Sequence, residues 1–212
     1  MKKFSKREAI KFGWDTVKSN IGLFIGIGIL SSIFSFSPDL IQRLLPETAT
    51  LLRLLTFLSG VILPIIIMMG LINVSIKFSD NIKAESSDLF SKYYLFFKVV
   101  AASIISGILV LLGLIFFIVP GIILIIKLQF TTFLIIDQEM GPIEALRKSY
   151  SITKGVKKEL YLFSLLLFLI NILGLLTFVV GILVAYPVTF VARAFVYRKL
   201  LVQHPIPPQP QS

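Results

Sequence analysis

Apolar positions along this chain come in long blocks separated by short charged stretches. Six such blocks can be drawn, at residues 21–36, 54–76, 95–118, 121–136, 160–180 and 182–201. A run of about 18 or more apolar residues matches a hydrocarbon core of ~30 Å at 1.5 Å rise per residue. Unpaired backbone groups cost several kcal/mol in oil, so a spanning segment must bond its own amides, as a helix does. A membrane barrel would instead alternate apolar and polar residues over ~10-residue segments, and SGILVLLGLIFFIVPGIILII does not alternate. The pattern predicts an all-α polytopic membrane protein: about six transmembrane helices as three hairpins, with amphipathic cytoplasmic surface helices. The first and fourth blocks are short. Re-entrant half-spans at those two places, leaving four full crossings, are the alternative. The third and fourth blocks meet at Val119-Pro120-Gly121, and the last two meet near Gly181.

Two of the connections carry helical periodicity of their own. In residues 1–20, Ile10, Trp14, Val17 and Ile21 share one face, while Lys6, Arg7, Lys11 and Lys18 lie largely off it. In the fourth-to-fifth connection, Pro142 can open a helix after Gly141, Gly155 can end it, and Ile143, Leu146, Tyr150 and Thr153 share a face. Both read as amphipathic helices at the membrane surface, with Trp14 and Tyr150 in the headgroup layer. The two stretches also resemble each other: EAIKFGWDTVKSN from Glu8 and EALRKSYSITKGV from Glu144 pair Ala9 with Ala145, Trp14 with Tyr150 and Lys18 with Lys154. SSDLFSKYYLFF before the third span is a weaker third copy, and Pro64, Pro120 and Pro187 recur near the starts of the even spans. The suggested unit is a surface helix followed by a hairpin, used three times in one orientation.

Charge sets the orientation. Lys2, Lys3, Lys6, Arg7, Lys11 and Lys18 precede the first block. Lys77, Lys83 and Lys92 follow the second, and Arg147, Lys148, Lys154, Lys157 and Lys158 lie between the fourth and fifth. Arg198 and Lys199 close the sixth, while the opposite side holds only Arg43 and Arg53. Cytoplasmic connections are enriched in Lys and Arg, so both termini are expected in the cytoplasm. The start MKKFSKREAIKFGWDTVKSN contains Glu8 and Asp15 and leads to no small-residue cleavage site, so the first block reads as retained. Residues 202–212, rich in proline, are expected to form a disordered tail.

Composition agrees. Of 212 residues, 56% are hydrophobic and 15% charged, against about 45–50% and about 25% in soluble domains. Mean hydropathy is +0.92. The net charge of +10 suits anionic headgroups, and no basic groove with interleaved aromatics points to nucleic acid. The chain has no cysteine, which excludes disulfides and thiolate chemistry.

Residues 119–155, VPGIILIIKLQFTTFLIIDQEMGPIEALRKSYSITKG, carry a distinctive order. Pro-Gly is followed by an apolar helix with one basic residue, an acidic residue, Gly-Pro-Ile-Glu-Ala-Leu, a basic-aromatic turn and Thr-Lys-Gly. This order resembles a pattern from bacterial multi-pass membrane proteins, namely the membrane domain fused to some glycerophosphodiester phosphodiesterases and its stand-alone, uncharacterised relatives. The closing AYPVTFVARAFVYRKL looks like that family's last helix. The resemblance implies a helical domain of a bacterial cytoplasmic (inner) membrane. It implies no phosphodiesterase activity, since that chemistry belongs to a separate soluble domain, and it supplies no catalytic residues.

Chemistry has little to work with. His204 is the one histidine, and all eleven acidic residues fall outside the blocks. No carboxylate pair, GxSxG elbow or phosphate loop occurs. No enzyme activity, cofactor or metal is expected. The best intramembrane candidate is Lys127, whose insertion cost of about 2.5–3.5 kcal/mol is offset by its apolar neighbours. Gln129, Asn73 and Asn171 could join it in an interior polar cluster, or serve as interhelical hydrogen-bonding groups. Arg193 is placed to snorkel, and Gly22 with Gly26 forms a GxxxG pair. Candidate lipid-headgroup contacts are Lys11, Trp14, Lys18, Arg147, Tyr150, Lys154, Lys157 and Lys158. The leading expectation is a non-catalytic module that binds anionic lipid, or a membrane protein partner or a second copy. The alternative is a small transporter or channel for an anionic or lipid-like solute built around Lys127.

Overall fold

The computed structural model describes residues 4–204, except for the side chains of 178–180. Within that range the chain is helical, with no strand among the described residues. Helix α1 is Lys6–Ser19. Ser5 caps it by accepting the Glu8 N–H at 3.2 Å, which satisfies one of the four orphan donors of its first turn. Asn20 interrupts the helix, and α2, Ile21–Leu44, starts at once. Helix α3 is Thr50–Ser79. After 3-10 turns at Ser86–Leu89 and Tyr93–Leu95 come α4, Phe96–Phe116, and α5, Ile118–Leu128. Then follow α6, Thr131–Gln138, α7, Pro142–Ile152, α8, Lys157–Leu176, and α9, Phe178–Gln203. Six stretches are long and apolar enough to cross a membrane.

Two expected boundaries change. The first span is not short: α2 runs 24 residues, about 36 Å, because Ser37 to Leu44 stay helical through Pro38. The fourth is long enough at 21 residues, Ile118–Gln138, but its helix is broken between Leu128 and Thr131. The tail expected from 202 begins as helix up to Gln203, and its remainder lies outside the described residues.

Hairpins α2–α3, α4–α5 and α8–α9 each pack internally. Their second helices form the interior. Between 28 and 56% of the spanning windows of α3, α5–α6 and α9 is buried, against 11 to 22% for α2, α4 and α8. The outer helices present Ile29, Ile33, Ile104, Leu111 and Phe168 outward, as expected of a lipid-facing surface. Gly22 and Gly26 lie on the exposed side of α2, where an added Cβ would meet nothing within 4 Å.

Three segments outside the spans dock on the three inner helices in turn. The turn at Ser86–Leu89 packs on α3, α7 on α6 and α5, and α1 on α9. On α1 the buried residues are Ala9, Gly13 and Val17; of the stripe that apolar spacing suggests, Val17 is buried and Ile10 half-buried, while Trp14 and Ile21 are exposed. Small residues let the two helix backbones approach closely. A Cβ at Gly13 would come within 2.5 Å of the Val188 carbonyl oxygen, and Trp14 is left 53% exposed. Helix α7 repeats this arrangement. Ala145, Leu146, Ser149 and Ile152 are buried, as is Thr153 at its end, so of the expected face Leu146 and Thr153 are inside while Tyr150 is 46% exposed and Ile143 faces out.

The ends of the inner helices meet in one ion cluster. Arg198 of α9 grips Asp137 with Nη1 at 2.6 Å and Nη2 at 2.7 Å, and Nη2 also reaches Asp80 at 2.5 Å. The Tyr197 hydroxyl donates to Asp137 at 2.7 Å. Asp80 caps the end of α3 and Asp137 lies at the end of α6, so one guanidinium ties three helices together at this charged end of the bundle.

Candidate functional site

The break in the fourth span leaves backbone groups without helical partners, and α7 supplies them. The Ser149 hydroxyl donates to the Lys127 carbonyl at 2.7 Å and accepts the Phe130 N–H at 3.2 Å. Thr153 adds a longer bond to the same carbonyl at 3.4 Å. Within the break, Thr131 donates to the Leu128 carbonyl at 2.7 Å and Gln129 to that of Ile126 at 2.9 Å. Irregular backbone at membrane depth survives where protein covers it, and the face of α7 that buries Ser149 is that cover.

The break also reorients Lys127. Its side chain is buried, with Nζ 3.3 Å from the centroid of the Tyr150 ring. Such a cation–π contact is stronger the drier its setting. The ammonium therefore lies against α7, because the break brings the last turn of α5 onto that helix. The same pairing marks Tyr150: hydrogen bonding and then the charge of Lys127 hold its phenol below the ordinary tyrosine range. The anionic phenolate is thus favoured in the folded state, so ionising it adds stability as pH rises from the folded midpoint to the unfolded one. Lys127→Met should return the Tyr150 transition to the ordinary range, read by ultraviolet difference titration against a Tyr150→Phe reference. An unmoved transition rules the pairing out.

The other three residues expected beside Lys127 bond elsewhere. Gln129 accepts from Ser164 of α8 at 3.3 Å. Asn73 donates to the Asp88 carbonyl at 3.1 Å and to Ser91 at 3.0 Å, fastening the 3-10 turn to α3. Asn171 reaches the Leu167 carbonyl at 2.9 Å and Thr189 at 3.4 Å, joining α8 to α9. Each is interhelical or local hydrogen-bonding glue, and the four residues do not line one cavity. Asp80 and Asp137 converge, but around a guanidinium. Among the described residues no group of three or more His, Asp or Glu side chains is placed to hold a metal ion.

The basic residues are arranged differently. Lys11, Lys18, Arg147, Lys154, Lys157 and Lys158 are all exposed. Of the expected headgroup contacts, Lys11 and Trp14 share a concave site. A groove of about 970 Å³ lies between α1 and α8, with Lys6, Arg7 and Lys11 on its rim and Trp14, Leu166 and Ile170 among its apolar walls. Sequence reasoning placed Lys6 and Arg7 only as topological charges. Their role in a groove depends on α1 lying along α9 beside α8, which no local pattern states. Set against known proteins, the chain matches no family model, no curated protein and no solved structure.

Proposed function

We propose that the protein is a non-catalytic module of a bacterial cytoplasmic membrane, with both termini cytoplasmic, that captures anionic phospholipid in the groove between α1 and α8. The groove carries the reading: three cations rim an apolar channel that opens where Trp14 meets the headgroup layer. A phosphate would sit among Lys6, Arg7 and Lys11 while the chains follow Leu166 and Ile170. The register that buries Ala9, Gly13 and Val17 in α1, and Ala145 and Ser149 in α7 with Thr153 at its C-cap, supports a repeated unit, surface helix plus hairpin. Three copies in one orientation gather their basic segments on one side. That side faces the anionic leaflet. A transporter built on Lys127 finds less support, since its ammonium rests on the Tyr150 ring.

Each Lys or Arg near an anionic surface contributes about 1 kcal/mol. Replacing Lys6, Arg7 and Lys11 together by Gln should therefore cut the preference for phosphatidylglycerol over phosphatidylcholine by roughly 10- to 100-fold. Lipid retained through purification, measured by native mass spectrometry, checks this. Unaltered headgroup selectivity in the triple variant would remove the groove from consideration.

A further inference from the structure

The groove between α1 and α8 does not end at Trp14. A second cavity, of about 460 Å³, shares Trp14, Ile170 and Val188 with it and continues between α8 and α9 to Thr177 and Gly181. Both helices of the hairpin register the same added depth. Ile170 to Thr177 and Val188 to Gly181 are seven-residue steps, about 10 Å each. From Leu166 in the groove to Thr177 the path covers eleven residues, about 16 Å. Half of a ~30 Å hydrocarbon core is about 15 Å, the depth that one acyl chain of one leaflet fills.

Local sequence makes this path. Gly13 sets α1 so close to α9 that a Cβ there would lie 2.5 Å from the Val188 carbonyl oxygen, which keeps the adjacent Trp14 beside Val188 where the two cavities join. Beyond that junction the α8–α9 seam is built of small residues. A Cβ at Gly174 would lie 2.6 Å from that of Ala185, and one at Gly181 would lie 2.3 Å from the Gly174 carbonyl oxygen. The helices therefore touch at their backbones and leave a furrow above the seam, with Leu173 and Val184 among its walls. Its one hydroxyl, of Thr177, donates to the Leu173 and Gly174 carbonyls at 3.2 and 3.0 Å, so the furrow offers a ligand hydrocarbon contact. Cations stand at the other end alone, at Lys6, Arg7 and Lys11. The furrow's volume lies toward the small end of ligand pockets, ~300–1,000 Å³, room for one chain and not a pair.

We infer that the phospholipid held at the basic rim threads one acyl chain past Trp14 into the α8–α9 furrow, so that the protein selects lipid by chain length as well as by charge. This rests on the groove reading for the seat of the phosphate. The second chain is left to the surrounding lipid.

The test uses the full chain in mixed micelles that hold phosphatidylglycerols with eight-carbon and sixteen-carbon chains at equal mole fraction, with retained lipid read by native mass spectrometry. The wild type should retain the longer lipid by a margin of about 10-fold. Val184→Phe and Leu173→Trp, which fill the furrow from α9 and from α8, should each erase most of that margin while keeping the preference for phosphatidylglycerol over phosphatidylcholine. Leu173 is 62% exposed, so its variant keeps the fold even where Val184→Phe does not. Leu112→Trp, on the exposed side of α4, should change neither preference. Equal retention of the two chain lengths by the wild type overturns the inference, as does an equal loss in Leu112→Trp, which would mark ordinary boundary lipid. A chain-length margin that survives both furrow variants rejects the furrow and leaves the phosphate seat standing. An unaltered headgroup preference in the Lys6, Arg7 and Lys11 triple variant instead rejects the groove reading, and this inference with it.

Discussion

Arg198→Met is expected to destabilise the detergent-solubilised bundle by about 2–4 kcal/mol, the range for removing one partner of a buried pair, taken toward its lower side because the cluster is partly hydrated. The reason is what remains behind. Asp137, with only 8% of its side chain exposed, would lose two short charge-assisted bonds and keep only neutral donors, the Tyr197 hydroxyl and the Gln138 amide. Asp80, at 32% exposure, can turn to water and should suffer less. Removing the stranded charge should restore part of the loss, so Asp137→Asn combined with Arg198→Met should cost less than the sum of the two single changes. Unfolding of the four proteins in mixed micelles measures this cycle. Strict additivity, or an Arg198→Met protein as stable as the parent, would show that the three inner helices are held without the cluster.

A second large effect is expected at Gly70→Ala. Helix α3 meets the turn at Ser86–Leu89 so closely that a Cβ at residue 70 would lie 2.1 Å from the Leu89 carbonyl oxygen and 2.6 Å from its Cα. Both are backbone atoms, so no side-chain rotation relieves the clash. The turn must retreat, and its retreat strains the bonds from Asn73 to the Asp88 carbonyl and Ser91, as well as the Lys77–Asp88 ion pair. Overpacking alone costs about 1–3 kcal/mol, and with these bonds weakened the expected loss is about 3 kcal/mol or more. Gly107→Ala provides the control. Nothing lies within 4 Å of its added Cβ in α4, so the better helix propensity of alanine should leave stability unchanged or raise it by up to about 1 kcal/mol. Comparable melting of the Gly70 and Gly107 variants would reject the close approach.

Much of the fold was legible from residue order. Gly141-Pro142 announces the start of α7, and the apolar blocks mark the spans. The candidate site was legible only in parts. Lys127 stood out as a cation among apolar residues, but its seat on Tyr150 depends on a break at Gln129 and Phe130, and the polar Gln129, Thr131 and Thr132 around it do not by themselves distinguish a broken helix from a continuous one. Asn73 and Asn171 were visible as polar groups in spans, yet each bonds whatever backbone or hydroxyl comes within reach, and reach is set by packing.

Hydropathy measures the preference of a side chain for oil over water, and this alone was enough to determine six apolar helices, their approximate ends and the basic side of the bundle. It is blind to whether that oil is lipid or protein. Helices α2, α4 and α8 are as apolar as α3, α5 and α9, so only the tertiary structure decided which three are enclosed. The same packing buried Ala9, Gly13 and Val17 of α1 while leaving Trp14 exposed, and drew Arg198 onto two carboxylates from different helices. Close approach and charge pairing act over a few ångströms between residues far apart in the chain, and the order of residues records no such distance.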